Sequence, residues 1–454
     1  MAKRSHILVF PYPAQGHMLA LLDLTRHLAT QGFTITIVVT PKNLSILSPL
    51  LSSSPNIQPL VLPFPPHPSL PNGVENIRDI GTKANVFMIN SLANLQDPII
   101  QWFHSHLNPP VAIISDFFLG WTNNLANKLD IPRICFSSTR AFLQAVLDYA
   151  CRNISLVRSQ DTTVFHDLPD SPSLSWNHLP GLIRMSKESD REWEFFFDGL
   201  IANASSWGWV VNTFDALEAR YIEYLRKLTG HERVFGVGPV SLLEPVTSGP
   251  SEPGSGYDVL RWLDGKPDGS VVYVCFGSQI FLTSDQMEAL AIGLEDSGIH
   301  YVWVVKPEHG DLVPAGSGRG VVIKGWAPQV AIMSHRAVGG YLSHCGWNSV
   351  LESILAEVFI LAWPMEADHY VNARLLVEEH GVGVRVCEGP DTVPDPAWLA
   401  RMIAESMSRD TTEKLKVKEL KNKAIEALEE GGSSSIELDR FVKELSKFQP
   451  KKKG

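Results

Sequence analysis

The chain has 454 residues, 44% hydrophobic and 19% charged, which supplies a large core and excludes an intrinsically disordered chain. At about 100–200 residues per domain, the length points to two or three domains. Lys and Arg number 39 against 49 Asp and Glu, a net charge of -10, which argues against a partner made of nucleic acid or anionic membrane.

In chain order, His6–Phe10 reads as a buried strand that runs into a Pro/Gly turn ending at Gly16. Residues 17–31 carry helical periodicity through Leu21, Leu22, Leu24 and Leu28. Gly32 stands as the helix C-terminal glycine, and Thr34–Val39 is the next strand. Lys3 and Arg4 precede too short an apolar stretch for a secretory signal. Residues 111–115 form another strand, with Asp116 just beyond it. Between Pro239 and Tyr257, Pro, Gly and Ser crowd together as in a linker. Strand–helix alternation then restarts: a strand at 270–276, a helix at 285–297 capped by Ser284, and a strand at 301–305. Val338–Ser343 is a strand, 347–355 a helix, and Phe359–Ala362 and 382–386 are strands. From Trp398 onward the pattern is helical, and the Lys/Glu mixture at 411–430 reads as a solvated helix face. Alternation of this kind implies parallel sheets covered by helices, in two doubly wound halves. Ligands of such sheets bind beyond the carboxyl ends of the strands, so a cleft between the halves is the place to search.

Cys135, Cys151, Cys275, Cys345 and Cys387 are odd in number and scattered, the pattern of a reduced intracellular chain. No apolar run approaches the roughly 18–20 residues of a membrane span. A cytoplasmic, soluble monomer without stable membrane insertion is expected.

Residues 326–369 read WAPQVAIMSHRAVGGYLSHCGWNSVLESILAEVFILAWPMEADH. His344-Cys345-Gly346-Trp347-Asn348-Ser349 follows a strand and opens a helix, where backbone N–H groups and the helix dipole favour a diphosphate. His344, Asn348 and Ser349 add side-chain donors, and Gly346 permits close backbone approach. Glu352, one turn on, can accept from ribose hydroxyls. Trp326 offers a flat face for a planar ring such as a nucleobase, with the backbone of the neighbouring Ala327 to meet the ring edge.

This segment resembles the donor-binding signature of plant family-1 UDP-sugar glycosyltransferases. Trp326, Pro328, Gln329, His335, Gly339, Gly340, His344–Ser349, Glu352, Trp363, Pro364 and Asp368 fall on the family pattern. The likeness extends to FPYPAQGH at the start, Asp116, Phe276-Gly277-Ser278 and EGGSS at 430–434. It implies a GT-B fold, two doubly wound Rossmann-like α/β domains facing across a cleft. Residues 1–240 would form an acceptor-binding domain, 241–257 a linker, 258–430 a donor-binding domain, and 431–454 a helix returning to the first domain. It further implies that Gln329 reaches the ribose and Ser278 a phosphate, with Trp347, Asp368 and His369 around the sugar.

Sugar transfer needs a deprotonated acceptor hydroxyl, an anomeric carbon presented in line, and a stabilised diphosphate leaving group. His17, at the carboxyl end of a strand, is the expected base, since a free imidazole titrates near pH 6.5. Asp116 can accept from the other imidazole nitrogen and fix its tautomer. In the family these two positions form the catalytic dyad. No two Asp stand two residues apart, so no Asp-x-Asp motif holds a metal ion, and metal independence is expected. No cofactor is expected beyond the UDP-sugar co-substrate.

His369 closes the signature where glucose-using relatives usually carry Gln, and in the family His there accompanies galactose or rhamnose. Residues 365–396 resemble the subgroup of flavonol 7-O-rhamnosyltransferases and phenolic glucosyltransferases. The resemblance thus implies inverting transfer from UDP-rhamnose to a flavonol 7-hydroxyl. Alternatives are UDP-glucose or UDP-galactose, acting on flavonoids or on phenolic and benzoic acids, and a nucleotide-sugar-binding protein of weak turnover. Ser138 stands where glucose users often carry a Thr that touches the sugar 6-hydroxyl. Phe118, Phe142 and Phe196, with Ser138, are expected to line an apolar acceptor slot. Two departures stand out: Glu357-Val358-Phe359 replaces the family's Gly-Val-Pro, and Ala20 replaces a frequent Pro. Glu357 is expected to cap a helix or face solvent.

Overall fold

The structure, a computed structural model, describes residues 5–243, 255–307, 318–408 and 412–449. Most of the linker expected at 241–257 and the Lys-rich stretch at 450–453 lie outside the described residues. Over the described residues the chain divides into two compact units. The first falls within Met1–Asn177, Leu182–Thr247 and Glu426–Gly454, the second within His178–Gly181 and Ser248–Ile425.

The first unit carries strands β1 (His6–Phe10), β2 (Thr34–Val39), β3 (Ile57–Val61), β4 (Ala112–Asp116) and β5 (Arg133–Ser137). A short antiparallel pair follows, β6 (Thr162–Val164) and β7 (Ser173–Ser175), then β8 (Gly208–Val211) and β9 (Val234–Gly236). Seven of these form one parallel sheet in the order β3-β2-β1-β4-β5-β8-β9. β1 is buried along its whole length, as a central strand covered on both faces must be. Its Ile7 and Val9 share a core with Leu21, Leu24 and Leu28 of helix Gln15–Thr30. Helix Ser433–Leu445 inserts Leu438, Phe441, Val442 and Leu445 into that same core. Its start is held by Ser434, whose hydroxyl donates to the Gly238 carbonyl at 2.7 Å.

The second unit holds β10 (Val271–Cys275), β11 (His300–Val305), β12 (Gly320–Lys324), β13 (Val338–Ser343), β14 (Phe359–Ala362) and β15 (Gly383–Arg385). They form a parallel sheet in the order β12-β11-β10-β13-β14-β15. Helix Ser284–Asp296 is capped by Thr283 rather than by Ser284: the Thr283 hydroxyl accepts from Gln286 N–H, and the Gln286 side chain accepts from Thr283 N–H. That reciprocal pair satisfies two helix-end donors at once, which places Ser284 inside the first turn.

In each sheet the strand order reverses once, between β1 and β4 in the first unit and between β10 and β13 in the second. At such a switch point the loops leave in opposite directions and open a crevice at the strands' carboxyl ends.

Candidate active site

The first switch point gathers His17 and Asp116. Asp116 is the final residue of β4, not one beyond it, and has no exposed surface. His17 is in the first turn of helix Gln15–Thr30, and its Nδ1 is 2.9 Å from Asp116 Oδ2. The other carboxylate oxygen, Oδ1, accepts from Phe118 N–H at 2.9 Å. Both oxygens are therefore assigned, and Nδ1 carries the proton, leaving Nε2 as acceptor. The His17 side chain is 17% exposed.

Behind Asp116 is a group that the sequence reading missed. Arg133, buried at the start of β5, donates from Nη2 to the Asp116 carbonyl at 3.2 Å and from Nε to Ser115 Oγ at 2.9 Å. Its Nη1 donates to Asn203 Oδ1 and Ser206 Oγ, each at 2.7 Å. Burial pushes the guanidinium below its usual range, while the Asp116 carboxylate opposes that shift. Asn203 in turn donates to the Phe117 carbonyl at 2.8 Å. Tyr12 is a second missed residue. Its ring edge meets His17 and its hydroxyl donates to Asn85 Oδ1 at 2.5 Å. Burial first, and Asp116 second, push that phenol well above its usual range.

Of the residues expected to line an acceptor slot, Phe118 tilts against His17 at 4.8 Å between ring centroids, and Phe196 packs edge-on behind Phe118 at 5.7 Å. Phe142 is a correction. It is 0% exposed and packs into the core against Tyr221, with the Arg140 guanidinium over its ring. Helix Ala141–Arg152 is buried around most of its first turns, so its Phe has no surface to offer. Ser138 sits just past β5, and among the described residues its buried Oγ has no hydrogen-bond partner. The turn around it is bolted on both sides. Ser137 Oγ donates to the Thr139 carbonyl at 3.0 Å and accepts from Gln144. The Glu218 carboxylate, wholly buried, accepts from Arg140 Nε and from Ala141 and Phe142 N–H. A rigid turn with one unspent buried hydroxyl is suited to a ligand's polar group.

The second switch point gathers the signature. After β13, Cys345 takes φ of 66°, a left-handed turn unusual for a side-chain-bearing residue. Ser343 Oγ accepts from Cys345 N–H, and Asn372 donates to the Cys345 carbonyl, which hold the strained turn. Gly346 is the N-cap of helix Trp347–Ala356, and among the described residues no side chain caps that end. Asn348 is half-buried in the first turn. Ser349 Oγ accepts from the Tyr341 hydroxyl at 3.2 Å, and Trp347 is buried. The His344 ring is clasped by two glycines: a Cβ on Gly277 would lie 2.7 Å from it and one on Gly346 2.6 Å. Ser278 follows Gly277 in the turn after β10. Burial lowers the His344 imidazole to about 4, against a backbone hydrogen bond with Cys275 that raises it, so it is neutral at pH 7. Burial, then His344, also pushes His369 well below the usual histidine range. The two rings meet edge to face at 4.6 Å. His369 Nδ1 accepts from Glu366 N–H at 3.1 Å, so its proton is on Nε2.

Gln329 Nε2 donates to Glu352 Oε2 at 2.6 Å, and Gln329 Oε1 accepts from the Tyr273 hydroxyl at 3.1 Å. Asp368 Oδ2 accepts from Asn372 at 2.7 Å. Ala327 packs against the core, whereas Trp326 is 55% exposed, a large aromatic face left uncovered by the protein. Exposure of so large a ring is the informative departure.

The first unit thus holds a histidine–carboxylate pair at its switch point, and the second an anion-favouring helix start and an uncovered indole. Comparison with known proteins shows the class of enzyme to which these units belong. Residues 256–395 match the family model described as UDP-glucoronosyl and UDP-glucosyl transferase. The chain is 47% identical to flavonol 3-O-glucosyltransferase UGT89B1 of Arabidopsis thaliana, over 97% of this chain and 96% of that one. It is 38% identical to the flavonol 7-O-rhamnosyltransferase of the same plant, over 98% of each. The crystal structure of Arabidopsis thaliana UGT89C1 complexed with UDP-L-rhamnose superposes with a TM-score of 0.80 at 37% identity, covering 98% of this chain and 100% of that one. The same protein complexed with quercetin gives a TM-score of 0.82 at 38% identity over the same shares. The fold is therefore GT-B and the protein is a glycosyltransferase. It belongs to the plant family-1 UDP-glycosyltransferases. Among the described residues no helix is long and apolar enough to cross a membrane.

Proposed function

We propose that this enzyme transfers a sugar, with inversion, from a UDP-sugar to a phenolic hydroxyl of a flavonoid, with His17 as base and no metal ion. The observation that carries the reading is the His17–Asp116 contact of 2.9 Å, with both carboxylate oxygens assigned and Nε2 left to accept a proton. The first unit supplies the base and the partly exposed ring of Phe118; Phe196, 1% exposed, only backs Phe118 and has no surface of its own for an acceptor. The second supplies Trp326 for the uracil, Glu352 and Gln329 for the ribose, and the helix start at Gly346 with His344, Asn348, Ser349 and Ser278 for the diphosphate. In an inverting displacement a β-linked donor gives an α-glycoside, and an α-linked donor a β-glycoside.

For the sugar, rhamnose on a flavonol 7-hydroxyl is the first reading. His369 presents a single donor, Nε2–H, because Glu366 N–H occupies Nδ1. A Gln would present a donor and an acceptor to two neighbouring hydroxyls. Rhamnose lacks the 6-hydroxyl and asks less of that end. Glucose is the second reading, favoured by the 47% identity to a flavonol 3-O-glucosyltransferase.

A panel of UDP-rhamnose, UDP-glucose and UDP-galactose against quercetin and benzoate, with product linkage determined, tests this. A rhamnoside at the 7-hydroxyl is expected. Turnover of benzoate alone would overturn the phenol reading. A His369→Gln variant with unchanged donor preference would overturn the role of His369. Activity is expected to survive EDTA, and loss restored only by a divalent ion would refute metal independence.

A further inference from the structure

Three rings enclose His17. Phe117 lies nearly parallel to the imidazole, with 18° between planes and 5.4 Å between centroids. Phe118 is tilted at 4.8 Å, and Tyr12 presents its edge at 5.3 Å. Phe118 keeps some exposed surface, but Phe117 is 1% exposed and has none to offer an acceptor. Its carbonyl is pinned by Asn203, which is itself held by Arg133. The same buried network thus fixes both the Asp116 carbonyl and the ring that covers the imidazole face.

We propose that Phe117 is a positioning residue that stabilises the protonated form of His17 during transfer. This rests on the reading of His17 as base. In that step the acceptor O–H bond breaks and its proton goes to His17 Nε2. The oxygen's electron pair forms the bond to the anomeric carbon, and the pair of the breaking carbon–oxygen bond leaves with UDP. The imidazolium so formed meets negative charge from two directions. Asp116 lies in its plane at Nδ1, and the π-face of Phe117 lies against its own face, within the roughly 6 Å over which an aromatic quadrupole attracts a cation. Among charged and titratable groups, Asp116 faces His17 directly, Arg133 stands behind Asp116, and the Tyr12 hydroxyl is turned to Asn85. Neutral His17 gains little from Phe117, so the stabilisation appears in the transition state rather than in substrate binding.

The test replaces Phe117 in the full chain by phenylalanines of increasing fluorination, up to pentafluorophenylalanine, which keep the ring's shape and drain its negative face. Turnover is measured with quercetin and both UDP-glucose and UDP-rhamnose. The expected result is a stepwise fall in kcat, on the order of tenfold at the pentafluoro ring. KM for both substrates stays within about twofold, the signature of an interaction made only in the transition state. A kcat that stays flat across the series overturns the proposal. Phe117→Leu, folded by its melting temperature, is expected to fall at least as far. His17→Ala in the same assay separates the two ideas. Undiminished turnover there removes the base itself. Lost turnover there with a flat fluorine series removes only the role of Phe117.

Discussion

Asp116 shows how far one carboxylate can be committed. Because Oδ1 receives Phe118 N–H, an Asn at this position would keep its oxygen there and turn its amide nitrogen toward His17. That nitrogen donates, so the imidazole would take the tautomer with its proton on Nε2 and lose its basic lone pair. Asp116→Asn is expected to lower kcat by roughly 10³–10⁴ with the fold intact, measured by turnover alongside near-UV circular dichroism. At the other switch point, His344 is lowered to about 4 against about 6.5 in the unfolded chain. Above pH 6.5 the ring is neutral in both states. As pH falls from 6.5 toward 4, the unfolded chain takes up a proton that the folded one refuses, and stability is lost. His344 alone is expected to cost on the order of 2 kcal/mol by pH 5, read as a falling melting temperature, with His369 adding in the same direction. His344→Gln should flatten that part of the slope. The dense signature made His344 and His369 legible in the sequence. Arg133 and Asn203 were not, because their partners lie up to 86 residues away and share no spacing that a linear reading can see.

Among elements, the strands were the most legible, since a parallel strand covered on both faces is a continuous apolar run with turn residues at its ends. β1, β2, β13 and β14 have the bounds that the pattern implies. Helix starts were less so, because a cap is decided by which of two adjacent hydroxyls reaches the third N–H, as Thr283 and Ser284 show. Buried aromatics were not sorted at all: Phe117, Phe118 and Phe142 look alike in the sequence, and only packing separates a ring stacked on His17, a ring tilted against it and a core residue. Glu357 is the element-scale oddity. It ends helix Trp347–Ala356 in a left-handed conformation, φ 61°, where Gly is the relaxed choice. It is exposed and pairs with Lys421 at 3.3 Å, a surface contact of small worth. Glu357→Gly is expected to stabilise the protein by about 1 kcal/mol, checked by urea unfolding, with donor KM unchanged.

At the scale of the whole molecule, the two units are not two consecutive halves of the sequence. The first is completed by helix Ser433–Leu445, whose Phe441 is fully buried and 5.3 Å from the Phe235 ring. Phe441→Ala is expected to cost the first unit about 3–5 kcal/mol. Hydrogen exchange should then quicken in β9 and helix Gln15–Thr30, and stay unchanged in β10 to β15. The same helix sets an order of events on the ribosome. The second unit has all its strands once residue 385 has emerged, but the first must wait for residues 433–445. At about 5–20 residues per second, the nascent chain carries an open apolar groove beside β9 for on the order of ten seconds after β9 itself has been synthesised. The half of the enzyme that is translated first is therefore the half that finishes folding last, and it is the half on which a chaperone would be expected to sit.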